Sequence, residues 1–357
     1  MKKLLLAMGL GACLLQVGSA YAQSPGSSAV PFLLIAPGAR ASGMGESFVS
    51  IADDATATYW NPAGTAFQNC TKIALMHANW LPQLASDLYY DYATAIYPIQ
   101  DLGTVGLAVT YINLGEQSIT GEDSPDVLGT FSSNEFAISG TFGLKVGANN
   151  SVGVGLKLIR SNLAPEVNNT TQKGDGSATT FAVDLGYLHR NLLIDRLNLG
   201  VNLANIGPKI TYIDAAQADP LPTNLRFGLS YQVIKQEFNS LVVGGEIDRL
   251  LVAQDENGKA LPVYEAVFKA WSDEPMSEEM KHMIYNFGAE YWYNNFVALR
   301  AGYHYDQDGR VKYATFGAGL KYSSLNLDFG YVSAGEGHPL SDTMRFSLGL
   351  NLGCTSN

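Results

Sequence analysis

"EFAISGTFGLKVGANNSVGVGLKL", residues 135–158, sets the fold. Phe136, Ile138, Phe142 and Leu144 stand on one side of the chain, and Glu135, Ser139, Thr141 and Gly143 on the other. After the tight "NN" turn, Val152, Val154, Leu156 and Leu158 alternate with Gly153, Gly155 and Lys157. A strict period of two is the signature of a strand, and two such runs joined by a short turn form an antiparallel hairpin.

The pattern recurs along the chain. "VGLAVTY" (105–111), "TFAVDLGYL" (180–188), "LNLGVNL" (197–203), "NLRFGLSYQV" (224–233) and "MRFSLGLNL" (344–352) all show it. Roughly fourteen segments, each about ten residues long, have the length of a tilted transmembrane β-strand. They begin near 71, 88, 103, 134, 151, 179, 196, 223, 239, 284, 296, 312, 324 and 343. Even-numbered strands end in tight turns, among them "IQD", "KQE", "NN" and "SS". Most odd-numbered ones lead into long connections at 113–133, 161–178, 206–222 and 250–282. Sorting of loop length by parity predicts an all-β, antiparallel, outer-membrane barrel with short periplasmic turns and long external loops.

Composition agrees. The chain has 357 residues, with 37 Gly, 19 Tyr and 15 Phe, and only 15% charged residues. "MKKLLLAMGLGACLLQVGSAYAQ" reads as a signal peptide over 1–22, cleaved after Ala20-Tyr21-Ala22; a lipobox at Cys13 is the competing reading. Cleavage removes Lys2 and Lys3, so the mature chain is more acidic than the net −11 of the whole. That charge argues against nucleic acid, which demands clustered Lys and Arg. The face opposite the apolar one carries both signs: Asp91, Glu135, Lys157, Asp184, Arg226, Glu246, Asp248, Glu290, Arg300, Lys321, Asp328 and Arg345. In a barrel with lipid outside, these charges line the lumen, and fourteen strands leave a lumen to fill.

The filling is "GARASGMGESFVSIADDATATYWNPAGTAF", residues 38–67, too rich in small residues for a core helix and poorly alternating for a strand. Residues 23–69 are expected to form a hatch inside the barrel of 70–357. Its Ala52-Asp53-Asp54-Ala55 and Asn61-Pro62-Ala63-Gly64 resemble the hatch signature of the FadL family of outer-membrane transporters. More closely, residues 33–67 resemble the opening of the PorV (LptO) family, FadL-like components of the type IX secretion system of Bacteroidetes. The resemblance implies a shuttle. It would receive cargo bearing a C-terminal signal from the translocon barrel and deliver it to a cell-surface sortase, with which it forms an attachment complex in outer-membrane lipid. Asp and Asn of the motif are expected to cap backbone donors, with Pro62 and Gly64 setting a turn; ligand binding there is the sharper alternative. The chain is shorter than the fatty-acid transporters, and its polar 113–133 loop lacks a greasy capture groove.

Two other functions stay open: transport of hydrophobic small molecules and lipopolysaccharide deacylation. No G-x-S-x-G elbow is present; "YVSAGEG" has Tyr331 in place of the first Gly. His77, His189, His282, His304 and His338 are scattered and read as interfacial or loop residues. "DENG" at Asp255 and "DQDG" at Asp306 lack the twelve-residue calcium spacing and read as turns. No catalytic residue, metal or cofactor is expected.

Two further features stand out. In the longest loop, Tyr264, Val267, Phe268 and Trp271 fall at i, i+3, i+4 and i+7, an amphipathic helical stripe. It would either pack on the barrel rim or anchor a secretion partner; a second short turn follows, opened by Ser277. The mature chain also holds Cys70, before the first strand, and Cys354, after the last. In an even-stranded barrel these positions are neighbours at the periplasmic rim, where a disulfide is permitted.

Overall fold

The computed structural model describes residues 28–354 apart from 121–125, 165–175, 213–217, 256–257 and 272–274. The expected signal peptide lies outside the described residues. Fourteen strands make a closed barrel. They are β1 (Thr71–Asn79), β2 (Tyr89–Ile99), β3 (Gly103–Thr120), β4 (Val127–Lys145), β5 (Asn150–Asn162), β6 (Ser177–His189) and β7 (Leu197–Ile206). The second half comprises β8 (Asn224–Lys235), β9 (Asn239–Leu250), β10 (Met283–Tyr293), β11 (Val297–Asp306), β12 (Val311–Tyr322), β13 (Leu325–Ser333) and β14 (Met344–Leu352). Each strand pairs antiparallel with its sequence neighbours. β1 closes on β14 from Thr71↔Leu352 to Ala78↔Arg345, which removes every sheet edge.

Apolar side chains face out along the strands: Leu107, Leu156, Phe181, Leu299 and Phe346 are all exposed. Charged ones face in, where Glu135, Lys157, Arg226, Glu290 and Arg345 are buried. That inversion marks a wall meeting lipid.

The structure departs from the sequence expectations at three places in the barrel. Residues 113–133 are largely not a loop, because β3 and β4 continue past the rim as a paired ribbon from Glu116↔Ser132 to Thr120↔Val127. A ribbon standing in water needs no apolar face, so its strands carry no alternation to read. Asp91 does not face the lumen. Its neighbours Tyr90 and Tyr92 point inward, with hydroxyls on the Ile35 carbonyl and Thr58, so Asp91 faces out and pairs with His77 at 2.7 Å. His304 is not interfacial; it is buried in the lumen, stacked on Tyr313 and hydrogen-bonded to Asn286.

The hatch starts at the extracellular mouth, where Ala29 N–H donates to Pro220 in the β7–β8 loop. It descends through a 3-10 turn (Pro31–Leu34), α1 (Ala39–Gly43), α2 (Ala57–Trp60) and a second 3-10 turn (Pro62–Phe67) to β1. Phe48, Tyr59 and Trp60 form its own core, Trp60 meeting both other rings edge-on.

Candidate functional site

The hatch lies directly on the barrel wall, and glycine permits this. A methyl on Gly288 would strike the Met44 carbonyl, and one on Gly302 the Gly45 amide. Gly200 meets the Val49 carbonyl and Gly186 the Asn61 side chain. These glycines are cross-strand partners: Gly288 faces Gly302, Gly153 faces Gly186, and Gly200 faces Gly228. Glycine on the lumen face is therefore a seat for another backbone.

Wall side chains then satisfy the hatch amides. Glu246 accepts from Phe48 and Val49 N–H at 2.7 and 2.8 Å, and Ser347 from Ala39 N–H at 2.9 Å. Asn202 donates to the Trp60 carbonyl, Arg345 to the Ala36 carbonyl, and Arg226 to the Tyr59 hydroxyl. An irregular segment cannot be buried without such partners.

The two halves of the hatch motif meet here. Asp54 accepts from the Thr56 amide at 2.8 Å, closing the turn into α2. Asn61 accepts from Ala63 N–H at 3.1 Å and donates to the Val49 and Tyr187 carbonyls, both at 3.0 Å. Pro62 opens the second 3-10 turn. Gly64 lies against the Ala52 carbonyl, and Ala52 itself takes φ +31°. Ala55 and Ala63 are fully enclosed. Every motif position therefore has a packing or capping partner.

Asp53 and Asp54 converge on Arg40, at 2.6 and 3.1 Å. The other side of the guanidinium grips Glu290 of β10 through two 2.8 Å hydrogen bonds. Glu290 also takes Arg300 of β11 at 2.6 Å, and Arg300 reaches Asp328 of β13 at 2.8 Å. Burial works against the Arg40 charge, but Asp53, Glu290 and Asp54 outweigh it and raise its pKa well above the ordinary value. Burial likewise opposes the Asp53 charge, and Arg40 more than offsets it, so Asp53 sits below the usual carboxylate range. The network latches the hatch to the wall. Glu290, Arg300 and Asp328 stand on the lumen face as the sequence predicts, but sequence reasoning did not single out Arg40, although it is the single basic residue between 23 and 69, against the acids Glu46, Asp53 and Asp54.

Far from the latch, on the extracellular side, the β9–β10 loop holds α3 (Val263–Lys269). Ala266 packs inward with Leu261 and Ala253, while Val267 is half-buried. Tyr264, Phe268 and Trp271 face solvent, 69%, 77% and 42% exposed. Arg249, at the end of β9, fixes the helix by donating to the Ala270 carbonyl and pairing with Glu279, both at 2.7 Å. Glu279 ends α4 (Met276–Glu279), which opens at Pro275; Ser277 lies inside the helix and does not cap it.

Cys70 and Cys354 are joined as a disulfide with Cα atoms 4.9 Å apart, at the seam where the hatch enters the barrel. Asp255 and Asp306 each cap a turn, accepting from Lys259 and Gly309 N–H. Among the described residues no group of His, Cys, Asp and Glu is arranged to hold a metal.

Solved structures share this architecture. The toluene transporter TbuX of Ralstonia pickettii superposes with a TM-score of 0.54 at 13% identity, over 90% of this chain and 99% of its own. The toluene transporter TodX of Pseudomonas putida gives 0.54 at 14% identity, over 88% and 96%. At such identities the likeness speaks for the fold. No curated protein sequence matches. The profile of the family described as "Type IX secretion system protein PorV" matches residues 20–257, more than half of the chain. The chain belongs to the PorV family of outer-membrane type IX secretion components.

Proposed function

We propose that this barrel is the shuttle and attachment component of its secretion system. It would take cargo bearing a C-terminal signal from the translocon barrel and hand it to a cell-surface sortase. The observation that carries the reading is the latched hatch. Residues 28–70 occupy the lumen, bonded to the wall through Glu290, Glu246, Ser347 and Asn202. A protein cargo has no passage through such a barrel, so contact belongs on the extracellular loops. Tyr264, Phe268 and Trp271 offer the aromatic surface that interface hot spots favour.

Transport of a hydrophobic molecule, as by the toluene transporters TbuX and TodX, finds less support. Between hatch and wall, the gap beside Leu33, Tyr59 and Tyr92 is about 10 Å³, and a larger one of about 280 Å³ is lined by Arg40, Asp53, Asp54, Lys72, Arg300 and Lys321, charged walls ill suited to a hydrocarbon. Deacylation finds little in the histidine geometry: His77 bonds Asp91, His282 Asp308 and His304 Asn286, and the hydroxyl beside His189 is the Tyr187 phenol, which also bonds Asn150.

Deletion of the gene separates the readings. The shuttle predicts unprocessed cargo missing from the cell surface and unchanged growth on long-chain fatty acids. Normal cargo display with lost growth would reverse the assignment.

A further inference from the structure

The larger gap between hatch and wall, about 280 Å³, is a vestibule at the periplasmic end of the lumen, facing β1 and β10–β14. Its volume is close to the lower bound of small-molecule sites, roughly 300 Å³. Lys72, Lys321 and Asn326 stand one residue inside the periplasmic ends of β1, β12 and β13. They mark its mouth, and Arg40, Asp53 and Asp54 line it from the hatch.

The wall is built to leave this space. On the same strands, lumen-facing glycines seat hatch backbone: a methyl on Gly317 would strike Gly43, and one on Gly330 the Ala39 carbonyl. Two others break that rule. The nearest atoms to a methyl on Gly349 belong to the Asn326 side chain, at 3.4 Å, and those to one on Gly319 belong to the Asp328 and Arg300 side chains. Strand pairing carries Lys321, Asn326, Gly349 and Ala74 across β12, β13, β14 and β1 as one row. Half of that row is long polar side chain and half is nearly bare wall, from which the hatch stands off.

The polar groups around the space are only partly used. Nη2 of the fully buried Arg300 and Oδ1 of Asn326 have no hydrogen-bond partner among the described residues. Lys72 gives two of its three N–H donors to neutral oxygens, the Asp53 carbonyl and the Gln68 side chain. Lys321 reaches the Asn295 side chain only at 3.5 Å. The acids are already paired, Asp53 and Asp54 with Arg40 and Asp328 with Arg300. Cationic donors are therefore left over, and a buried donor without an acceptor is costly.

We infer that the vestibule binds a soluble phosphate monoester of a sugar or small polyol from the periplasm. Its phosphate sits on Lys72, Lys321 and Arg300, and its hydroxyls on Asn326 and Ser347. Three cationic donors from β1, β12 and β11 suit the oxygens of a phosphate. Asn326 Oδ1 accepts a hydroxyl, and Ser347, which accepts from Ala39 N–H, keeps its own O–H to donate. Trp292, packed on Arg300 at 5.6 Å, lines the same space with apolar ring surface for the carbon skeleton. A bare phosphate would leave much of the vestibule empty, since its volume is that of about nine waters of the liquid. The inference is independent of cargo handling.

Isothermal titration calorimetry of the purified mature protein tests it, with glucose 6-phosphate as the probe and inorganic phosphate and glucose as controls. One glucose 6-phosphate should bind per barrel, with a Kd at least tenfold below that of either control. Lys321→Gln should raise that Kd tenfold or more. Gly349→Leu, which fills the vestibule and removes no charge, should abolish binding. Heat-modifiable mobility reports that the variant barrels are folded. Inorganic phosphate bound as tightly as glucose 6-phosphate, or no binding of glucose 6-phosphate at millimolar concentration, would overturn the inference. So would wild-type affinity in a folded Lys321→Gln or Gly349→Leu barrel.

Discussion

Arg40 of the hatch and Glu290 of β10 meet in a two-point ion pair, with both hydrogen bonds at 2.8 Å. Their side chains are 17% and 3% exposed, so water screens the pair weakly. Removing one member of a buried pair strands the other, at a cost of about 3 kcal/mol or more. Arg40→Met should therefore lower the chemical unfolding midpoint and expose residues 38–67 to protease. Arg40→Lys should recover only part of this, because an ammonium cannot grip the carboxylate at two points.

The same latch fixes an acid limit. Asp53 titrates below its unfolded value, so its contribution is fully present above about pH 4 and is lost as pH falls through the folded pKa. Pepsin cleavage within the hatch should begin only in that acid range. Asp53→Asn should remove the Asp53 part of that acid dependence, and an unchanged acid profile in this variant would assign the transition to other carboxylates.

The glycine seats predict a contrast between two conservative changes. Gly288→Ala drives a methyl into the Met44 carbonyl and should cost roughly 1–3 kcal/mol as an overpacked site. Gly140→Ala meets nothing within 4 Å and should be neutral. Thermal unfolding of the two variants side by side measures the difference.

These contrasts also show what the sequence could reveal. Alternation placed the strands because lipid on one face and lumen on the other enforce a period of two. It failed on the β3–β4 ribbon, where water lies on both sides, and on "YYDYATA", where Tyr90 and Tyr92 turn inward to serve the hatch. Glycine was legible as lumen-facing. Its purpose was not, since the demand comes from residues more than a hundred positions away, as Gly186 and Asn61 show. The motif Asp53, Asp54 and Asn61 declared its turns by residue type, but the reach of Arg40 to Glu290 is a tertiary fact.

At the seam, unreduced denatured mature protein should take up no alkylating reagent, and two equivalents after reduction. Cys70→Ser should destabilise by less than the roughly 4–5 kcal/mol of a very long loop. The eight-residue β1–β14 ladder already holds those ends together. Two free thiols in the unreduced protein would remove the staple.

On the extracellular loop, Phe268→Ala with Trp271→Ala should leave the heat-modifiable barrel unchanged, since both rings face solvent. Copurification of sortase or cargo should fall by tenfold or more if the rings are anchors. Unchanged copurification would leave α3 without a role in partner contact.

If cargo stays outside the lumen, a hatch locked to the wall leaves secretion intact. Ala39 N–H bonds the Ser347 hydroxyl at 2.9 Å, so Ala39→Cys with Ser347→Cys should allow a cross-link between hatch and wall. Cells carrying the oxidised, locked protein should display processed cargo on their surface at the wild-type level. Loss of display on locking, restored by reduction, would instead show that the hatch must move for secretion.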